Sequence, residues 1–449
     1  MKKRISLLLV FMLLLGVVVA CSPADDGDVS TPPVDGDTPP VDVGDEGLTE
    51  TITVQVESDW REYYEAAAAR VNEANPEATI EFIEVPSFDH LDVLDQTDVT
   101  NEDVADVFAI PADRIYGLAQ NEALSAIDGK AMAANVGGFS DYDAGLGGNF
   151  AIDGEYLAFP MNIETLVNFV NTSNAEANGI DITKEIEISE LDFENVLIPV
   201  FDAWFGVSFA NAADIELLGM DASGNLFSDM TEDFADLDPA KQEVIEGLYN
   251  YWRAHKDAGT PLFDEDAAWG YMDGAFETGG KTVARIEGPW STGSLSELAG
   301  NGEDLAILPI GQVTINGNPL SHWKGGWGLA VNARVEGNGE KMLLAQAMIE
   351  EIVNPDHAVE FFQATGKILE NVSVDDYLNS NLPDVDKEVI AAVMESYEDA
   401  PARPLFTEWG QVWDTWKNAI LSWNSVNPSS PEAAYKELQA SFTAMMANF

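Results

Sequence analysis

Aromatic rings and carboxylates are the side chains of this sequence that could do chemistry by number and position. The chain holds 11 Trp, 11 Tyr and 21 Phe, more flat ring surface than a core of its size needs. Indole and phenyl faces stack on the apolar faces of pyranose rings, while carboxylates, amides and Arg forks exchange hydrogen bonds with the hydroxyls around the ring edge. Carbohydrate binding requires that mixture. Trp409, Trp413, Trp416 and Trp423, with Ile420 between them, recur at heptad-like spacing after Pro404 and read mainly as the buried stripe of a helix.

Motifs for bond-breaking chemistry are missing. There is no G-x-x-x-x-G-K-[ST] phosphate loop, and the stretch from Gly145 to Phe150 lacks the third glycine of a dinucleotide fingerprint, so neither a nucleotide nor a flavin is indicated. Ser291, within Gly288-Pro289-Trp290-Ser291-Thr292-Gly293, does not have the spacing of a nucleophile elbow and reads as a turn hydroxyl. His90, His255, His322 and His357 have no metal-ligand or catalytic spacing, and with Cys21 the lone cysteine neither a disulfide nor a Cys-based metal cluster can form. With 79 Asp and Glu, some carboxylate pair will always lie at the separation glycoside hydrolysis uses, so such a pair carries little information.

The 449 residues, 46% hydrophobic, suffice for about two domains. A formal charge of -58 repels phosphate backbones and anionic headgroups, which excludes nucleic acid as a natural partner.

Lys2, Lys3 and Arg4 precede a short apolar run from Leu7 to Leu15, the pattern of a signal peptide over residues 1–20. Val18-Val19-Ala20-Cys21 resembles a bacterial lipobox, with Cys21 the residue that would receive the lipid. Removal of the signal peptide takes Lys2, Lys3 and Arg4 with it and moves the net charge from -58 to -61. The Pro-, Asp- and Gly-rich segment that follows, within 21–48, reads as an extended tether on the order of 80 Å long. A lipid anchor on such a spacer suits the outer face of a bacterial cell membrane of the Gram-positive type.

Strand and helix signals then alternate. Thr51 to Val56 alternates like a strand, Trp60 to Ala74 has helical spacing until Asn75-Pro76 stops it, Thr79 to Val85 is the next strand, and Asp103 to Ile110 leads into a helix near Arg114 to Glu122. Repeated βα units predict an α/β fold with mainly parallel sheets flanked by helices and a ligand crevice beyond the carboxyl ends of the strands.

Several longer motifs then occur in order. They are Ala105 to Arg114 with Ala119-Gln120 and Leu124, then Ala158 to Glu164, Phe276 with Gly280-Lys281, and Ile286 to Trp290. Leu308-Pro309, Gly325 to Asn332, and Pro404 followed nine residues later by Trp413 complete the series. From Thr51 onward the chain resembles the extracellular solute-binding proteins of carbohydrate ABC transporters, most closely the maltose/maltodextrin-binding type. The resemblance implies a two-lobe fold of the type II periplasmic-binding-protein kind, with the ligand cleft between the lobes. It places lobe one at residues 49–163 plus 329–377 and lobe two at 164–328 plus 378–449.

Carried over position by position, the resemblance makes Asp113 and Arg114 the acid-base pair that binds sugar hydroxyls, and Glu164 the acid after the first hinge. Trp290 and Trp413 become stacking residues, Asp202 and Trp204 an acid-x-aromatic pair, and Asp59 a first-loop hydroxyl binder with Trp60 beside it. Ile110 stands where maltodextrin binders carry a stacking Trp, a platform that Trp60, Trp323 or Trp327 could replace. What the resemblance implies is a monomeric, non-enzymatic receptor that captures a maltodextrin-like oligosaccharide by hinge closure and delivers it to ABC permease subunits. No metal or cofactor is implied. Another oligosaccharide, a polyamine, or a secreted glycoside-processing activity are the alternatives.

Overall fold

The computed structural model describes residues 47–96, 99–221 and 223–449. The expected signal peptide, Cys21 and nearly all of the expected tether lie outside the described residues. Of the expected tether's last residues, Leu48 is buried, its amide donating to the Asn75 side chain at 3.0 Å, so it belongs to the packed first lobe. Among the described residues no helix is long and apolar enough to cross a membrane.

A six-stranded sheet forms the first lobe. Its early members are β1 (Thr51–Val56), β2 (Thr79–Glu84) and β3 (Val107–Pro111), joined through helices α1 (Arg61–Ala74) and α2 (Ser87–Gln96). In β1 the buried Ile52, Val54 and Val56 alternate with less buried neighbours at the start, as period-two patterning demands, whereas every residue of the central β3 is buried. Helix α1 buries Tyr63, Tyr64, Ala67, Ala68 and Val71 along one stripe and ends where Asn75 precedes Pro76, which disfavours helical backbone there. The chain then runs through β4 (Ala158–Glu164) in this sheet straight into β5 (Val167–Asn171) of a second, four-stranded sheet. Only Thr165 and Leu166, both fully buried, lie between the two strands.

The second sheet adds β6 (Val196–Leu197), β7 (Ala284–Glu287) and β8 (Leu305–Pro309) in the order β8-β5-β7-β6. The chain returns to the first sheet as β9 (Gly325–Val331) and β10 (Ile368–Leu369), giving the order β10-β4-β9-β3-β1-β2. Around the second sheet lie α3 (Ala203–Asn211), α4 (Pro239–Ala258), α6 (Gly410–Val426) and α7 (Pro431–Met446), while α5 (Asp384–Glu398) packs on β8. Two hydrophobic cores result: one spans the first sheet and continues to Val167, Phe169 and Ile307 on one face of the second, and the other includes Val170, Ala284 and Ile286 on the second sheet's opposite face.

The two-sheet α/β organisation agrees with the sequence, but parallel pairing in the two sheets holds only among β1, β2 and β3 and between β6 and β7. β4, β9 and β10 pair antiparallel in the first sheet, as do β5, β7 and β8 in the second. A strand that crosses from the other lobe arrives running opposite to the local βα units, which is why β9 lies antiparallel beside β3.

One buried cluster ties β1 to β3 and to the return from β9. Asp106, 1% exposed, accepts hydrogen bonds from the Thr53 amide at 2.9 Å and lies 2.7 Å from Arg334 and 3.0 Å from Lys341. Burial alone would raise this carboxyl, but the Thr53 amide and the Arg334 and Lys341 charges hold it below the usual carboxylate range. A depressed folded value contributes stability at neutral pH that is lost as pH falls through it. Asp106→Asn is expected to cost roughly 3 kcal/mol at pH 7, because two cations lose their partner. Urea unfolding checks this, and the variant should lose less stability than the native chain between about pH 5 and pH 3.

Candidate functional site

The carboxyl ends of β1, β3, β4, β6 and β7 open on one cleft of about 1390 Å³ between the two sheets. All ten residues that the sequence nominated for ligand contact line it: Asp59, Trp60, Asp113, Arg114, Glu164, Asp202, Trp204, Trp290, Trp327 and Trp413. Asp59 and Trp60 sit on the 3₁₀ turn Ser58–Trp60 after β1, and Asp113 and Arg114 on the turn Ala112–Arg114 after β3. Glu164 closes β4. Trp327 reaches the same edge because β9 runs antiparallel to β3, which pairs Trp327 with Pro111.

In the second lobe the chain turns sharply after β6. Tyr251 pins the strand, donating to the Val196 carbonyl at 3.0 Å while accepting from the Ile198 amide at 3.1 Å. The Trp416 indole donates to the Val200 carbonyl at 2.7 Å. Asp202 thereby caps α3, accepting from the Trp204 amide at 2.9 Å, and burial raises its carboxyl above the usual range against that hydrogen bond. After β7, Gly288-Pro289 turns the chain and projects Trp290, which is 49% exposed. A Cβ at position 288 would meet the Trp290 ring at 2.1 Å, so only glycine lets the indole fold back over the backbone.

The helical Trp stripe divides as its positions dictate. Trp409, Trp416 and Trp423 are buried in the second core, whereas Trp413 is half-buried at the cleft wall. Its ring centroid lies 4.8 Å from that of Trp409 and 6.1 Å from that of Trp323; Trp204 lies 6.2 Å from Trp323 and 6.3 Å from Trp290. The indoles thus form a continuous band.

Arg403 was not nominated from the sequence, yet it organises this band. Its guanidinium lies 5.1 Å from the Trp204 ring, 5.6 Å from Trp323 and 6.0 Å from Trp413, and it pairs with Asp113 of the first lobe at 2.8 Å. Asp113 and Arg114 therefore do not pair with each other, and Arg114 pairs instead with Asp95 of α2. The second oxygen of Asp113, Oδ1, and the indole N–H of Trp204 are both buried without hydrogen-bond partners. An acceptor and a donor are thus left unpaired beside one guanidinium.

Lys367 is a second cation missed in the sequence. Its ammonium lies 4.7 Å from the Trp327 ring and 5.5 Å from the Trp60 ring, immediately before β10 on the same sheet edge. Burial lowers it below the usual lysine range, and the Glu164 and Glu57 charges oppose that shift. The Trp327 indole donates to Glu164 at 3.0 Å. Opposite, Arg285 pairs with Asp273 and, at 2.9 Å, with Glu287, whose carboxyl burial raises despite that partner. Ser291 lies 3.4 Å from Glu287 in the turn after β7, bonded to a carboxylate and not to an imidazole. His90, His255 and His322 are buried and bound locally, with His322 Nε2 against the Trp204 carbonyl at 2.9 Å. Phe88, Phe205, Trp269 and Phe406 complete the aromatic lining. Phe88 follows the carboxyl end of β2, so the strand-end rule that located the crevice also reaches it.

No family model matches the chain. Over 394 residues it is 23% identical to the maltodextrin-binding protein MdxE of Bacillus subtilis (strain 168), covering 85% of this chain and 87% of that protein. Its fold matches the maltose-binding periplasmic protein MalE of Listeria monocytogenes, solved in complex with maltose, with a TM-score of 0.64 and 20% identity, over 88% of this chain and 98% of that one. MalX of Streptococcus pneumoniae, solved in complex with maltopentaose, matches with a TM-score of 0.65 and 17% identity, over 88% of this chain and 99% of that one. The resemblance read from the sequence motifs is borne out, and the two-lobe binding-protein fold is shown.

Arg403→Met keeps the aliphatic stem against the indoles and removes the charge, leaving Asp113 without its ion pair. Stability in urea is expected to fall by about 2 kcal/mol, with Arg403→Lys intermediate because an ammonium cannot reproduce the planar fork.

Proposed function

We propose that this chain, which has the maltodextrin-binding type of fold, is the sugar-binding receptor of an ABC importer, capturing a maltodextrin-like oligosaccharide in the cleft and delivering it to a membrane permease. One observation carries the reading: a band of indoles meets an unpartnered acceptor, Asp113 Oδ1, and an unpartnered donor, Trp204 Nε1, beside the Arg403 guanidinium. Rings of this kind stack on pyranose faces, and such acceptors and donors serve hydroxyls, which are both donor and acceptor.

The second lobe offers the ring faces of Trp204, Trp290 and Trp413, and the first offers Asp59, Asp113, Arg114 and Glu164. A ligand held by both sets binds the closed arrangement more tightly than an open one, and that difference in affinity drives closure. The cations argue for a neutral ligand over a polyamine, since Arg114, Arg285, Lys367 and Arg403 all line the cleft. Nothing in this scheme breaks a bond. Cys21 is the proposed lipid attachment that keeps the receptor at the outer face of the cell membrane, where a monomer would dock on the permease subunits.

Calorimetry of the purified chain with maltotriose to maltopentaose tests the reading, with binding expected for the native protein. Trp290→Ala and Trp413→Ala should each bind at least about tenfold more weakly, the loss of one stacking face. Unchanged affinity in both variants would defeat the site assignment, and a native chain that binds no member of the series would defeat the maltodextrin assignment. In cells, Cys21→Ser should shift the protein from the membrane fraction to the medium; retention in the membrane would count against acylation.

A further inference from the structure

We infer that the stacking platform of the first lobe is the phenyl ring of Phe88, an assignment that rests on the oligosaccharide reading and specifies how the first lobe grips a pyranosyl unit. Closure driven by a sugar requires contacts from both lobes, and a first-lobe contact to the apolar face of a pyranose needs an exposed ring there. The replacements expected for the platform lost at Ile110 do not supply one. Trp60 and Trp327 are 5% and 6% exposed, and Trp323, at 4%, belongs to the second core. The Lys367 ammonium lies over the rings of both Trp60 and Trp327, so the cleft meets little more than their edges.

Phe88 is the opposite case. At 58% it is the most exposed large hydrophobic side chain among the described residues, and it lies on the cleft wall. Its backbone is fixed from behind. Glu57, just after β1, accepts from the Ser87 hydroxyl at 2.7 Å and from the Ser87 amide at 3.2 Å, while the Gln55 side chain donates to the Val85 carbonyl at 2.8 Å. These bonds anchor the first turn of α2 to β1. The ring itself meets Trp327 edge-on, with centroids 5.2 Å apart, and Trp327 is held by its hydrogen bond to Glu164. A ring with a rigid backing and an open face is preorganised for stacking. Asp59 and Arg114 lie on the same wall to bind the hydroxyls of the stacked unit. A phenyl is smaller than an indole, so this platform covers one pyranose ring.

The test is calorimetry of the full chain with the member of the maltotriose to maltopentaose series that the native protein binds most tightly. Phe88→Ala is expected to weaken binding about tenfold or more, and Phe88→Trp to restore native affinity or better. The melting temperature of Phe88→Ala should stay close to native because the ring is largely exposed, whereas Trp327→Ala should lower it. Phe88→Ala binding within about twofold of a native chain that does bind would overturn the platform while leaving the receptor reading intact. A native chain that binds none of the series refutes the maltodextrin reading, and the platform falls with it.

Discussion

A single guanidinium sets the geometry of this molecule's cleft. Arg403 is almost fully desolvated against three indole rings, and the carboxylate it pairs with, Asp113, belongs to the other lobe. Cation–π attraction strengthens as water is removed, so the same burial that makes the charge costly makes its aromatic surroundings favourable. The arrangement orients the rings of Trp204, Trp323 and Trp413 together, and it leaves Asp113 with one oxygen engaged and one open. Asp202, Trp290 and Glu164 then fall around this centre because strand ends, not long loops, deliver them.

Charge is distributed unevenly. A chain with 79 acidic and 21 basic residues places four of its cations, Arg114, Arg285, Lys367 and Arg403, on one cleft. Three of them have carboxylate partners within 4 Å, and the fourth lies between indoles beside Glu164 and Glu57. The acidic exterior repels polyanions, while a neutral polyol feels only the local donors and acceptors.

Much of this was legible in the sequence, for reasons that differ by residue. Helix α1 and strand β1 show their periods plainly, and Asn75-Pro76 marks a stop. Asp113, Glu164 and Trp290 could be found because each ends or follows a strand within a motif of fixed spacing. The antiparallel entry of β9 was not legible, since strand direction depends on which lobe the chain has just left and no local pattern records that. Arg403 and Lys367 escaped notice because neither sits in a motif, and their meaning comes from rings contributed by distant segments. Phe88 had a signal, an aromatic two residues past Pro86 at the end of β2, but it was hidden by the richer indole pattern elsewhere. Trp60 and Trp327 were found at the cleft, while their burial depended on Lys367 and could not be read from spacing.

The direct passage from β4 to β5 has a mechanical meaning. Two buried residues, Thr165 and Leu166, are the whole of that connection, so the lobes cannot slide past one another along it. Reorientation must be absorbed as twist in a handful of backbone torsions whose side chains are already packed on all sides. If the lobes close on a ligand, so short a joint would confine the movement to rotation about it, with the rims farthest from it travelling most.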